Sequence, residues 1–178
     1  MASVESGEKG HERYQLFVDL DGVLVDFDDG VRRITGREPA ELSPRAMWPI
    51  LARTRGFYDG LGWTKDGRTL WKAVRGFSPA VLTGLPLGKW AEPQKRSWCA
   101  RELGAEVPVI TGLSRHKADL AAAWLDGAGL AGRIPVLIDD RLKLQEPWES
   151  AGGRFILHLD AASSLAALGE LGFPVASA

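Results

Sequence analysis

"FVDLDGVLVDF", residues 17–27, decides how the rest of the chain is read. An apolar run ends in two aspartates one residue apart, Asp19 and Asp21, and then breaks at Gly22. That is the pattern of a buried strand closing in a turn. Two carboxylates at such an end repel each other, and burying either one unpaired is costly. Something must compensate them. The third aspartate, Asp26, suits a hydrogen bond within the same loop.

Working outward, further short apolar runs follow the same plan. The expected strands are 14–20, 79–84, 107–112, 134–140 and 154–160. Helical patterns lie between them. Residues 91–103 place Trp98, Ala100 and Leu103 inward, and 115–130 follow Ser114, a suitable N-cap. A terminal helix is expected over 160–172, with Ser163 or Ser164 near its start. Strands alternating with helices imply an α/β fold of three layers, with a central parallel sheet of about five strands. Ligands bind beyond the carboxyl ends of such strands. Asp19, Asp21, Thr83, Thr111, Asp139 and Asp140 would gather there.

The interval 28–78 breaks this rhythm. Ser43 and Pro44 open one helix, residues 64–76 suggest a second, and no apolar strand separates them. The reading is a small helical cap over 29–78, inserted into a core of 14–28 plus 79–178, with 1–13 as a flexible tail. The chain has 178 residues and a net charge of −1, so no global charge points to nucleic acid or membrane. Cys99 is the only cysteine, which excludes an intrachain disulfide. The polar start lacks a secretory apolar stretch, and no run approaches the roughly 20 residues of a membrane span. A soluble, cytoplasmic protein is expected, its oligomeric state open.

Gly22 lets Asp19 and Asp21 face one site, and Asp139-Asp140 ends another strand. A hard divalent cation removes their repulsion, and Mg²⁺ favours a few carboxylates with water and phosphate. With a lysine present, one aspartate can attack phosphorus while another moves the leaving-group proton. Thr83 and Thr111 end equally good strands, and Lys117 competes with Lys89, Lys95 and Lys143 for the lysine role. His11, His116 and His158 show no ligand spacing. Cys99, beside Trp98, suits an inert core position.

"DLDGVLVDF" resembles the first motif of the haloacid-dehalogenase-like (HAD) phosphohydrolases. "VLTG", Lys117 and "VLIDD" are similar to the second, third and fourth motifs, in order across 14–140. "GFYDGL", "KRSWCARELG" and "LIDDR" further resemble the 5′(3′)-deoxyribonucleotidase branch. The resemblance implies Asp19 as nucleophile and Asp21 as general acid/base. It implies Mg²⁺ on Asp19, the Asp21 main-chain carbonyl, Asp139 and Asp140. Thr83 and Gly84 would bind phosphate, with Lys89 in reserve, and Lys117 would neutralise transition-state charge. Phe27, Trp48, Phe57 and Trp63 would line a base pocket. The implied substrate is a small, nucleotide-like phosphate ester, with a polynucleotide end or another small phosphorylated metabolite as alternatives. A binding module without turnover is the non-enzyme alternative. Position 84 is Gly where that branch often carries Ser.

Overall fold

The computed structural model describes residues 10–175. Its strands are β1 (Tyr14–Val18), β2 (Ala80–Gly84), β3 (Val109–Gly112), β4 (Ile134–Asp139) and β5 (Arg154–Leu157). They form one sheet in the order β3-β2-β1-β4-β5, and every pairing is parallel. The helices are α1 (Phe27–Thr35), α2 (Pro44–Arg53), α3 (Gly67–Val74), α4 (Ala91–Glu102), α5 (Lys117–Gly127), α6 (Gln145–Ser150) and α7 (Ala161–Glu170). None of the described helices is long and apolar enough to cross a membrane.

Strand alternation builds two cores. Leu16 and Val18 share one face with Val81, Val136 and Ile138, packed against Leu70, Trp98 and Leu165 of α3, α4 and α7. Phe17, Leu82 and Leu137 point the other way, onto Ala121 and Leu125 of α5 and Trp148 of α6. The expected three-layer α/β architecture is therefore the observed one. The strand order changes direction at β1, so Asp19 leaves the sheet at the topological switch point.

Several boundaries differ from expectation for physical reasons. The run 154–160 is not all strand, because Asp160 caps α7: its Oδ1 accepts from Ser163 N at 2.7 Å. Ser114 is not the cap of α5. A 3-10 turn spans Ser114–His116, and the Ser114 hydroxyl instead accepts from Arg141 Nη1 at 3.0 Å. The inner face of α4 is Ala91, Lys95, Trp98 and Cys99; Ala100 is exposed and Leu103 half-buried. Of the tail expected over 1–13, residues 1–9 lie outside the described residues, and Gly10–Arg13 form a 3-10 turn.

The interval 28–78 is helical as expected, but it divides. Ser43 caps α2 (Ala46 N to Ser43 Oγ, 3.3 Å), and α3 packs on α7, where Ala161 N donates to Asp66 Oδ2. The unanticipated α1 is capped by Asp26, whose Oδ1 accepts from Asp29 N at 2.9 Å. A Gly in its middle and a run of charges hide this helix from an apolar-periodicity reading. The loop after β1 is fastened to this interval by Asp26 N to Gly62 O (3.0 Å) and Thr64 N to Leu24 O (2.9 Å).

Trp98 is the main tie between α4 and the 57–63 loop. It is 1% exposed, and its Nε1 donates to Leu61 O at 2.9 Å. Trp98→Ala is expected to cost about 3–5 kcal/mol of folding free energy. Urea denaturation checks this, and a loss below about 1 kcal/mol contradicts the packing role.

Candidate active site

The first two aspartates of the opening motif diverge to separate lysines. Asp19 follows β1, hydrogen-bonds Ile138 O through its N–H at 2.9 Å, and is 2% exposed. Its Oδ1 accepts from Leu20 N at 2.8 Å and pairs with Lys117 Nζ at 2.9 Å. Lys117, the first residue of α5, also donates to Asp139 Oδ2 at 2.6 Å. Its ammonium thus joins the ends of β1 and β4.

Asp21 turns toward β2. Its Oδ2 accepts from Lys95 Nζ at 2.6 Å, and the same ammonium donates to Thr83 Oγ1 (2.9 Å) and Gly84 O (2.8 Å). Lys95 is fully buried, so these acceptors use its three protons. Asp21 Oδ1 is buried with no hydrogen-bond partner among the described residues. Gly22 makes the divergence possible. It takes φ +77°, and its N–H returns to Val25 O at 2.9 Å. A Cβ there would also lie 2.2 Å from Asp140 Oδ2.

The electrostatics separate the carboxyls. Burial pushes Asp19 up, but the charges of Lys117 and Arg141 outweigh it and leave Asp19 below the ordinary carboxylate range. For Asp21, burial outweighs the attraction of Lys95, and repulsion from Asp19 adds to the upward shift. Burial and the charge of Asp19 also raise Asp139. Asp140 rises to about 7, from burial and then from Asp19 and Asp139. Arg141 lies beside the group, its Nη2 3.6 Å from Asp19 Oδ2, and its N–H donates to Asp139 Oδ1 at 2.9 Å.

Carboxylate oxygens of Asp19, Asp139 and Asp140 all lie within 4.8 Å of one another. This oxygen-only set fits a hard divalent cation: burial raises Asp139 and Asp140 first, and the charge of Asp19 adds a repulsion that such an ion would relieve. The Asp21 carboxylate lies outside the set, so any metal role for residue 21 rests on its main-chain carbonyl.

Above the carboxylates opens a cleft of ≈ 990 Å³. Asp19, Asp21, Gly84 and Asp140 line it together with Phe27 and Trp48. The other expected residues fall elsewhere. Trp63 lies outside the cleft, donating to Glu102 Oε2 at 2.8 Å and packing 5.1 Å from the Trp98 ring. Phe57 is buried behind Phe27, their ring centroids 5.8 Å apart. Lys89 is exposed and off the cleft wall. Thr83 is 1% exposed and meets Lys95, whereas Thr111 donates to Glu92 Oε1 at 2.7 Å.

No family model matches the sequence, and no curated protein matches it. Among solved structures, the chain is similar to a haloacid dehalogenase-like family hydrolase from Streptococcus pneumoniae. The two share 14% identity at a TM-score of 0.57, over 82% of this chain and 85% of that one. The chain has the haloacid dehalogenase-like fold. A HAD family hydrolase from Deinococcus radiodurans R1, with bound phosphate and sodium, also matches. It shows 14% identity and a TM-score of 0.45, over 92% of this chain and 98% of that one.

Within this HAD-like fold, Tyr58 is the cleft residue that sequence reasoning missed, and Lys95, weighed only as a rival to Lys117, holds a buried place of its own. Lysine is read as surface by default, yet Lys95 sits i+4 from Ala91 and i−3 from Trp98 on the buried stripe of α4. That spacing was the available signal. Tyr58 lines the cleft with its ring 4.5 Å from Lys95 Nζ, and its buried hydroxyl has no partner among the described residues. Burial and the nearby Asp21 and Asp19 charges push this phenol well above its usual range. Cys99 behaves as inert core, its thiol pushed up to about 12 by burial.

Lys95→Met removes the shared donor and strands Asp21 Oδ2, Thr83 and Gly84 O. Breaking such a buried pair is expected to cost about 3–5 kcal/mol. Chemical denaturation of both proteins measures the difference. A variant as stable as the parent contradicts the clamp.

Proposed function

We propose that the protein is a Mg²⁺-dependent phosphomonoesterase working through an aspartyl-phosphate. The observation that supports this most is the split of the two motif carboxyls. Asp19 is held by Lys117, while Asp21, two residues on, is held by Lys95 with one oxygen free. Their environments push the two groups in opposite directions, as an ionised nucleophile and a proton-carrying acid require.

Asp19 attacks phosphorus, and the bond from phosphorus to the ester oxygen breaks. The departing oxygen takes its proton from Asp21. Asp21, now ionised, removes a proton from water, which attacks phosphorus and frees Asp19 and inorganic phosphate. Lys117 faces the negative charge that grows on the phosphoryl group. Asp19, Asp139, Asp140 and the residue 21 carbonyl would hold the divalent cation, which supplies charge neutralisation at the phosphoryl oxygens.

The substrate reading is a nucleoside monophosphate. Phe27, Trp48, Tyr58 and Trp90 line the cleft, and Tyr58 and Trp90 stack with centroids 5.5 Å apart. Such faces suit a planar base. A second reading, a polynucleotide end, is favoured by Arg45 and Arg115. Both are exposed on the cleft and make no ion pair with a carboxylate among the described residues. In either case α1 and α2 would act as the cap that chooses the substrate.

A panel of nucleotides, phosphorylated oligonucleotides and sugar phosphates tests this proposal. Phosphate release is expected with Mg²⁺ and is abolished by EDTA and by Asp19→Asn. Asp21→Asn should lower kcat by about 10²–10⁴-fold, the range for a lost general acid. Activity that survives Asp19→Asn contradicts the nucleophile assignment.

A further inference from the structure

Position 84 has no side chain, yet the space beside it is filled. A Cβ built on Gly84 would lie 2.1 Å from Ser114 Oγ and 3.4 Å from Ser114 Cβ. The two residues meet because β2 and β3 end in register, Gly84 opposite Gly112, with Leu85 N donating to Gly112 O at 2.8 Å. The chain leaving β3 then folds over the end of β2 as the Ser114–His116 turn.

We propose that Ser114 is a phosphate-binding residue of this site, its hydroxyl standing where a side chain at 84 would otherwise present one. The proposal rests on the phosphomonoesterase reading. Three observations carry it. Ser114 lines the same cleft as Asp19, Gly84 and Asp140. Arg141 Nη1 donates to Ser114 Oγ at 3.0 Å, while the same guanidinium reaches Asp19 Oδ2 at 3.6 Å through Nη2. Because Arg141 can only donate, the serine oxygen accepts and its own hydrogen stays available. That hydrogen is donated to no protein atom among the described residues. The result is a free O–H, oriented by a guanidinium, on the wall of the cleft that holds the nucleophile.

Lys95 cannot supply this donor, because it spends its three protons on Asp21, Thr83 and Gly84. Lys117 is shared by Asp19 and Asp139. Thr83 is 1% exposed, and its Oγ1 accepts from Lys95 Nζ at 2.9 Å. A phosphoryl oxygen above Gly84 therefore meets Ser114 as its side-chain hydroxyl.

The test uses inorganic phosphate with Mg²⁺ as the probe, titrated calorimetrically into the parent protein, Ser114→Ala, Gly84→Ser and the double variant Gly84→Ser/Ser114→Gly. Ser114→Ala is expected to weaken phosphate binding roughly ten- to a hundredfold, the loss of one hydrogen bond to a charged group, with Tm little changed. Gly84→Ser alone crowds Ser114 and should bind phosphate poorly, whereas the double variant should recover affinity to within about threefold of the parent. Ser114→Ala with parental phosphate affinity overturns the proposal, as does a folded double variant no better than Gly84→Ser. Phosphate release by the parent on the ester panel, run in parallel, reports on the enzymatic reading separately. A parent that binds phosphate through Ser114 but hydrolyses no ester would sink that reading alone.

Discussion

Lys117 holds its ammonium between two buried carboxylates, 2.9 Å from Asp19 Oδ1 and 2.6 Å from Asp139 Oδ2. Both acids sit at the carboxyl ends of adjacent strands, β1 and β4, where the parallel sheet brings them close. Neither could be buried as an unpaired ion without a penalty far larger than a domain's net stability. The bridge makes their burial tolerable and ties the start of α5 to the sheet. Together with Arg141 it holds Asp19 below the ordinary carboxylate range, which suits the proposed nucleophile.

Lys95 repeats this solution one strand away, and the two clamps together explain the spacing of the motif. Asp19 and Asp21 are separated because each faces a different lysine, with Gly22 providing the turn between them. Four carboxyls, Asp19, Asp21, Asp139 and Asp140, still face only three cations, Lys95, Lys117 and Arg141. At Asp140 burial, followed by the charges of Asp19 and Asp139, raises the carboxyl to about 7. That imbalance is the electrostatic reason for expecting a divalent cation beside it.

Most of the scaffold was legible because strand runs in a doubly covered sheet are short, apolar and sharply ended. β1, β2 and β4 begin within one residue of the apolar runs that announce them, and Asp19, Thr83 and Asp139 lie at or within one residue of their ends. What stayed hidden depends on direction rather than residue type. Lys95 looks like any surface lysine until α4 is placed against the sheet. Trp63 looks like any pocket aromatic until Glu102 claims its indole N–H. The helix α1 is masked by its own charges, and the place of Ser114 beside Gly84 emerges only once β2 and β3 are seen to end side by side.

The central claim is that Asp19 becomes covalently phosphorylated. Rapid acid quench of the protein turning over a nucleoside monophosphate with Mg²⁺, followed by peptide mass spectrometry, tests it most directly. The account predicts a hydroxylamine-sensitive phosphoryl adduct confined to the peptide containing Asp19, appearing faster than steady-state turnover. Turnover with no adduct trapped at any quench time, or an adduct on a different residue, would contradict it.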